Sequence, residues 1–245
     1  MDITVLGKFG PFPGSGGACS GYLLRSGGVN LLLDCGNGVL SRLQQICEIT
    51  ELSGIILSHL HSDHISDMMV LRYGLDILRK RGMWQGRMPL FTPIRPEDEY
   101  KKLDYNDVFS IMGIDDDMGI SLGGLSITFK RMQHPVPTLG VCVKEGSFKL
   151  VYSGDTAFSK DLVSFAKDAD LLICDGCFLD QDKQGTNPPH MTAGEAGRTA
   201  REAGAKRLMI SHLWYKNDEK QYLKEAREFF DNTVIAQEMN TYKVG

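Results

Sequence analysis

Six consecutive residues, His59-Leu60-His61-Ser62-Asp63-His64, concentrate three imidazoles and a carboxylate in one short stretch. They directly follow an apolar run, Gly54 to Ser58, and directly precede a helical pattern. Residues two apart at an extended strand end point to the same side. His59 and His61 can therefore grip one cation, while Asp63 and His64, at the helix entrance, face a second. Imidazole nitrogen and carboxylate oxygen suit zinc, and the same mixture admits manganese or iron. Left unpaired beside a buried strand, so dense a polar cluster would be costly, and a metal removes that cost. The plainer alternative is a polar loop in which Asp63 caps the helix.

Three further residues point toward the same chemistry. His134, Asp155 and His212 each stand at the C-terminal end of an expected strand, where one rim of a fold would gather them. The chain has only six histidines. Taken with the six-residue stretch, they predict a dinuclear metal site of His59, His61, Asp63, His64, His134, Asp155 and His212.

The elements that would hold these residues can be read from periodicity and turn residues. Ile3 to Leu6, Gly21 to Arg25 and Val29 to Asp34 are β-rich and separated by glycine-rich turns. A helix is expected over 36–48, with Val39, Leu40, Leu43 and Ile46 on one face. After the strand ending at His59, Met68, Leu71, Leu75 and Leu78 recur at helical spacing, and Arg79, Lys80 and Arg81 precede Gly82 as cations suited to a helix C-terminus. Further strands are expected over 125–133, 149–153, 171–175 and 207–211. Thr192-Ala193-Gly194-Glu195 is a capping-box pattern opening a helix that stops near Gly204. Two β-rich halves, each followed by helices, imply an α/β fold of two sheets packed face to face with helices outside. With no linker or low-complexity segment, residues 1–245 are expected to form one domain.

Composition narrows the function. A chain of 245 residues with 42 % hydrophobic and 24 % charged residues can bury a substantial core and is neither disordered nor fibrous. The formal net charge of −4 argues against a long non-specific nucleic-acid groove. No apolar run is long enough to span a bilayer. Met1 to Leu6 carries no basic or long apolar stretch, so it reads as a first strand and not a signal peptide. The six cysteines are scattered apart from Cys174 and Cys177, as expected of reduced, buried small hydrophobes in a cytoplasmic protein.

The six-residue stretch, with His134, Ser153-Gly154-Asp155 and Ser211-His212, resembles the metallo-β-lactamase superfamily from end to end. Within it, Asp34-Cys35-Gly36 after an early strand and His190-Met191-Thr192 before a late helix resemble the tRNase Z-like branch of phosphodiesterases. The resemblance implies an αββα sandwich of two mixed sheets and two Zn2+ ions. It assigns His59, His61 and His134 to one ion and Asp63, His64 and His212 to the other, with Asp155 bridging. A hydroxide held between the ions would attack phosphorus, and Asp63 would orient that water or take its proton. By the same likeness His190 serves the leaving group, and Asp175, matching the acidic residue of a His-Glu-Ala-Thr segment, orients it. Here that segment reads Cys174-Asp175-Gly176-Cys177. A carboxylate behind an imidazole holds its tautomer and favours the protonated form. Related enzymes are often homodimers, and the likeness extends to that state.

One departure from the branch is informative. Its tRNA-processing bacterial members insert a long tRNA-gripping arm between the third metal histidine and the bridging aspartate. Here 20 residues separate His134 from Asp155, and two strands already need them. The expected substrate is therefore a small or cyclic phosphodiester, with long nucleic acid disfavoured. The rivals are a lactone or thioester hydrolase, which needs no His190, a tRNA 3′-end nuclease, and a non-catalytic metal-binding accessory protein. Gly10 to Gly17 reads either as a loop over the metal rim or as plain turn chemistry, and it lacks the ending of a P-loop. Cys174-x-x-Cys177 lacks the second pair of a structural zinc motif, and Arg79-Lys80-Arg81 reads as a solvated helix end.

Overall fold

The computed structural model describes residues 1–183, 185 and 188–245. Strands β1 (Asp2–Gly7), β2 (Gly21–Ser26), β3 (Val29–Leu33), β4 (Gly54–Ile56), β5 (Met88–Thr92) and β6 (Phe109–Gly113) build the first sheet. The second comprises β7 (Gly119–Leu122), β8 (Leu125–Arg131), β9 (Leu139–Glu145), β10 (Phe148–Tyr152), β11 (Leu171–Asp175), β12 (Leu208–Ser211) and β13 (Thr233–Ile235). A last strand, β14 (Thr241–Lys243), returns to the first sheet beside β1. The sheet orders are β14-β1-β2-β3-β4-β5-β6 and β13-β12-β11-β10-β9-β8-β7. Each sheet is antiparallel in one half and parallel in the other, as in the expected mixed sandwich.

Strand patterning explains how the layers close. Along β8, Leu125, Ile127 and Phe129 turn inward while Ser126 and Thr128 stay exposed, the period-2 signature of a strand with one wet face. In β11 all five residues are buried, because helices cover its outer face. Between the sheets, Val5, Tyr22, Leu31 and Leu33 meet Ile127, Phe129, Val141 and Ile173. Outside the first sheet lie α1 (Val39–Leu43), α2 (Ser62–Ile65), α3 (Met68–Lys80) and α4 (Glu97–Leu103), and outside the second lie α5 (Lys160–Phe165), α6 (Ala193–Ala203) and α7 (Glu219–Arg227).

The expected helix over 36–48 is a correction, since only Val39–Leu43 is helical. Gly36 packs on the six-residue stretch so closely that a Cβ there would lie 2.0 Å from the Asp63 carbonyl, which delays the helix start. Beyond Leu43 the chain tightens into i−3 bonds, from Gln45 N to Arg42 O (3.1 Å) and from Ile46 N to Leu43 O (2.8 Å). The capping box of α6 forms as expected: Glu195 N donates to Thr192 Oγ1 (3.1 Å) and Thr192 N to Glu195 Oε2 (3.0 Å). The helix ends on Gly204 in the left-handed region, φ 65°. Among the described residues no helix is long and apolar enough to cross a membrane.

Candidate active site

The residues singled out by type and spacing meet at one edge of the sandwich, beyond the C-terminal ends of β4, β8, β10, β11 and β12, where open α/β sheets place their clefts. His59, His61, His134 and Asp155 bring four ligand atoms within 4.8 Å of one another, and Asp63, His64, Asp155 and His212 form a second such group. Asp155 belongs to both. His61 Nδ1 stands 3.1 Å from His59 Nε2 and 3.1 Å from His134 Nε2. His212 Nε2 lies 3.1 Å from Asp63 Oδ2 and 3.3 Å from Asp155 Oδ2. All six histidines of the chain lie in or against these groups: the sixth, His190, stacks on His212 with ring centroids 5.0 Å apart and planes at 10°.

The far sides of the rings fix which nitrogen faces inward. His59 Nδ1 sits 3.0 Å from Ser58 Oγ, and His134 Nδ1 donates to the Pro189 carbonyl at 3.2 Å. His64 Nδ1 lies 2.8 Å from Asp34 Oδ2, a carboxylate behind an imidazole that leaves Nε2 for the centre. Burial drives the His59 imidazole well below its usual pKa, so it stands neutral with a lone pair to offer. Burial opposes ionisation of Asp155, yet His212, His64 and His59 outweigh it and hold the carboxyl well below its usual range. Asp63 is at the start of α2 without capping it: the N-cap is His61, with no side-chain capping bond.

Asp34 is the functional candidate that sequence reasoning passed over as part of a likeness without giving it work. Fully buried at the end of β3, it accepts from Ser58 N (2.7 Å), Ser58 Oγ (2.8 Å) and Tyr152 OH (2.7 Å) besides facing His64. Its backbone is left-handed, φ 57°, as is that of His212, φ 60°. Such conformations persist where surrounding bonds over-determine them, and they cluster at functional sites. The only sequence signal for Asp34 is an acidic residue closing an apolar strand.

His190 Nδ1 lies 2.8 Å from Asp175 Oδ2. Asp175 is itself pinned, accepting from Thr156 N (3.0 Å) and Cys177 N (3.0 Å). Burial works against a proton on His190, and Asp175 outweighs it, so its pKa lies above the ordinary histidine value. His190 lines a cleft of about 470 Å³ together with His61, Asp63, Asp155, His212 and Phe178.

The weaker motifs resolve differently. Gly10 abuts the His212 ring so tightly that a Cβ would lie 2.0 Å from Nε2, so the Gly10 to Gly17 loop does border the site. Cys174 is a buried core thiol on β11, while Cys177 reaches the cleft, and both are unpaired. Arg79 donates to the Asn106 and Asp107 carbonyls and Lys80 pairs with Asp76 at 2.6 Å, which ties this cationic helix end to its own surroundings.

With this geometry in view, the family described as beta-lactamase superfamily domain matches residues 29–213. The chain belongs to the metallo-β-lactamase superfamily. Within the superfamily, the probable metallo-hydrolase YhfI of Bacillus subtilis is 35 % identical over 234 residues, covering 96 % of each chain. The YhfI crystal structure matches with a TM-score of 0.92 at 33 % identity, covering 99 % of both chains. Ribonuclease Z of Archaeoglobus fulgidus is 25 % identical over 300 residues, covering 99 % of this chain and 97 % of the archaeal protein. Human tRNase Z, short form, shares the fold with a TM-score of 0.81 at 19 % identity over the whole of both chains. Beyond the superfamily, the chain is thus similar to ribonuclease Z proteins along its whole length.

The metal that a metallo-β-lactamase fold implies fits the donors present. Buried His64 Nε2 and Asp155 Oδ1 lie 3.2 Å apart, and neither has a hydrogen-bond partner among the described residues. An unsatisfied buried polar atom of this kind is costly, and a divalent cation facing both would satisfy it. The donor set is imidazole nitrogen and carboxylate oxygen, the mixture that borderline divalent ions take.

Proposed function

We propose that this metal-dependent hydrolase is a phosphodiesterase of small or cyclic phosphodiesters, acting as one domain through a dinuclear zinc centre. His59, His61 and His134 would hold one ion, Asp63, His64 and His212 the other, and Asp155 both. Bound there, the ions supply positive charge that stabilises a phosphoryl oxygen and acidifies water. Asp63, lining the cleft beside His212, would orient the attacking water through its carboxylate or take up its proton. The observation that carries the reading is the His190–Asp175 pair. Asp175 occupies His190 Nδ1, which leaves Nε2 as the polar atom that a cleft-lining ring can turn to substrate. From Nε2 a proton passes to the departing alkoxide oxygen. A thioester hydrolase, whose thiolate leaves without protonation, has little use for that donor. Substrate size is supported by two observations. β9 and β10 fill the interval between His134 and Asp155, and the archaeal ribonuclease Z alignment runs over 300 residues against the 245 of this chain.

The test compares leaving groups. His190→Ala should keep its metal and slow hydrolysis of an alkoxide-leaving phosphodiester by a factor on the order of 10²–10⁴. The loss should shrink for p-nitrophenolate, which needs little protonation, and Asp175→Asn should give a milder version of the same pattern. Equal losses for both leaving groups would reduce His190 to a positioning residue. No loss at all would remove His190 from the chemistry, and turnover of a thioester or lactone with neither phosphodiester hydrolysed would move the protein to that rival class.

A further inference from the structure

A second cavity, of about 400 Å³, opens beside the His/Asp cleft. Pro11, Cys177 and Phe178 line both, so the two are one continuous groove with the reacting centre at one end. Away from that centre the lining is Trp214, Asp182 and Asn217, which the His/Asp cleft does not share. Its volume falls within the range of about 300–1,000 Å³ typical of small-ligand clefts.

The wall is built, not incidental. Trp214 follows His212 by two residues, and Leu213 between them is tied on both sides: its N donates to Lys8 O at 2.8 Å, and its carbonyl accepts from Gly10 N at 3.2 Å. The backbone that sets His212 thus also sets the indole. Phe12 meets Trp214 edge-on, with centroids 5.3 Å apart and planes at 85°, and Tyr215 tilts against it at 5.2 Å. Phe12 stays 47 % exposed and the indole is only partly buried, so these rings are not spent on filling the core. The loop 10–17, which the metal chemistry leaves without a task, supplies Pro11 to the lining and packs Phe12 against the indole. At the edge, Asn217 Nδ2 lies 3.1 Å from Tyr222 OH, and Tyr222 OH donates to the Cys177 carbonyl at 3.0 Å, which ties the polar rim to the shared floor of the groove.

We infer that this end of the groove is a base subsite, in which Trp214 stacks the nucleobase of a nucleotide phosphodiester whose phosphate lies at the metal centre. An aromatic wall accepts any flat ring, and the carboxylate and amide of Asp182 and Asn217 favour one with an N–H edge, which a nucleobase has and a sugar phosphate or simple aryl ester lacks. The inference rests on the phosphodiesterase reading and narrows its substrate class.

Calorimetry on the metal-loaded protein separates the two. Adenosine 5′-monophosphate and ribose 5-phosphate carry the same phosphate and differ only in the base. The nucleotide should bind about 10- to 100-fold more tightly, the range that stacking of one base confers. Trp214→Ala should erase most of that difference, and Trp214→Phe, which keeps a ring, should restore part of it. Both variants are to be checked for wild-type metal content and melting temperature. Equal binding of the two ligands, or a difference that survives Trp214→Ala, overturns the base subsite. Adenosine alone provides the independent arm. If it binds in a Trp214-dependent way while no phosphodiester is hydrolysed, the subsite stands and the phosphodiesterase reading falls. If bis(p-nitrophenyl) phosphate is hydrolysed while the base adds nothing to binding, the reverse holds.

Discussion

Asp34 acts on the centre from beneath. Its carboxylate collects two bonds from Ser58, one from Tyr152 and the His64 ring nitrogen, all in a region sealed from water. Replacing it by alanine would leave several buried polar groups without partners and free the His64 ring to turn. Partners of this kind are commonly worth about 10–100-fold in metal affinity. We therefore expect Asp34→Ala to weaken zinc binding by about that factor, read by competition against a chelator from a wild-type stoichiometry near two ions per chain. Tyr152→Phe removes a single bond to the same carboxylate and should cost less. Equal zinc affinity in Asp34→Ala and wild type would show that the left-handed turn at Asp34 serves folding alone. Little of this was readable beforehand, because Tyr152 stands 118 residues away from Asp34 and only the folded sandwich brings them together. The metal-ligand candidates were readable for the opposite reason: polar side chains that interrupt apolar strands at their ends are conspicuous in one dimension.

At the scale of elements, the strands that carry the site were legible, and so were β1 and β2, while several that complete the layers were not. β13 and β14 are three residues each, and β5 contains Pro89, so none offers a clear period. α7 buries only Tyr222 and Ala226, and α4 buries only Leu103, so neither sequence offers an apolar stripe by which to read a helix. What such helices do becomes visible in their packing. Gly197 of α6 lies against α7, where a Cβ would sit 2.4 Å from the Ala226 carbonyl and 3.0 Å from its Cα. Backbone cannot yield as a side-chain tip does, so the two helices must part. Gly197→Ala should cost about 1–3 kcal/mol and lower the melting temperature by several degrees, with turnover at low temperature kept because the helix pair lies outside the sheets. A melting temperature equal to wild type would mean that α7 is free to slide.

For the molecule as a whole, net charge and outline bear on partners. A formal charge of −4 disfavours a long polyanion, and β9 and β10 lie in the interval between His134 and Asp155. tRNA should bind weakly and with little selectivity at physiological salt, and site-specific removal of a 3′ trailer by the isolated protein would contradict this. The path of the chain has a further consequence. It leaves the first sheet for the second across residues 114–118, after His59, His61, Asp63 and His64 have been laid down and before His134, Asp155 and His212. Each proposed ion is thus grasped by both halves, a rivet through two plates of different origin along the sequence. A protein nicked within 114–118 should stay joined in zinc and come apart on chelation at a denaturant concentration that leaves the zinc form intact, as size-exclusion chromatography would record. Should the nicked halves separate at the same denaturant concentration with and without zinc, the apolar interface and the β14–β1 pairing hold them without help from the metal.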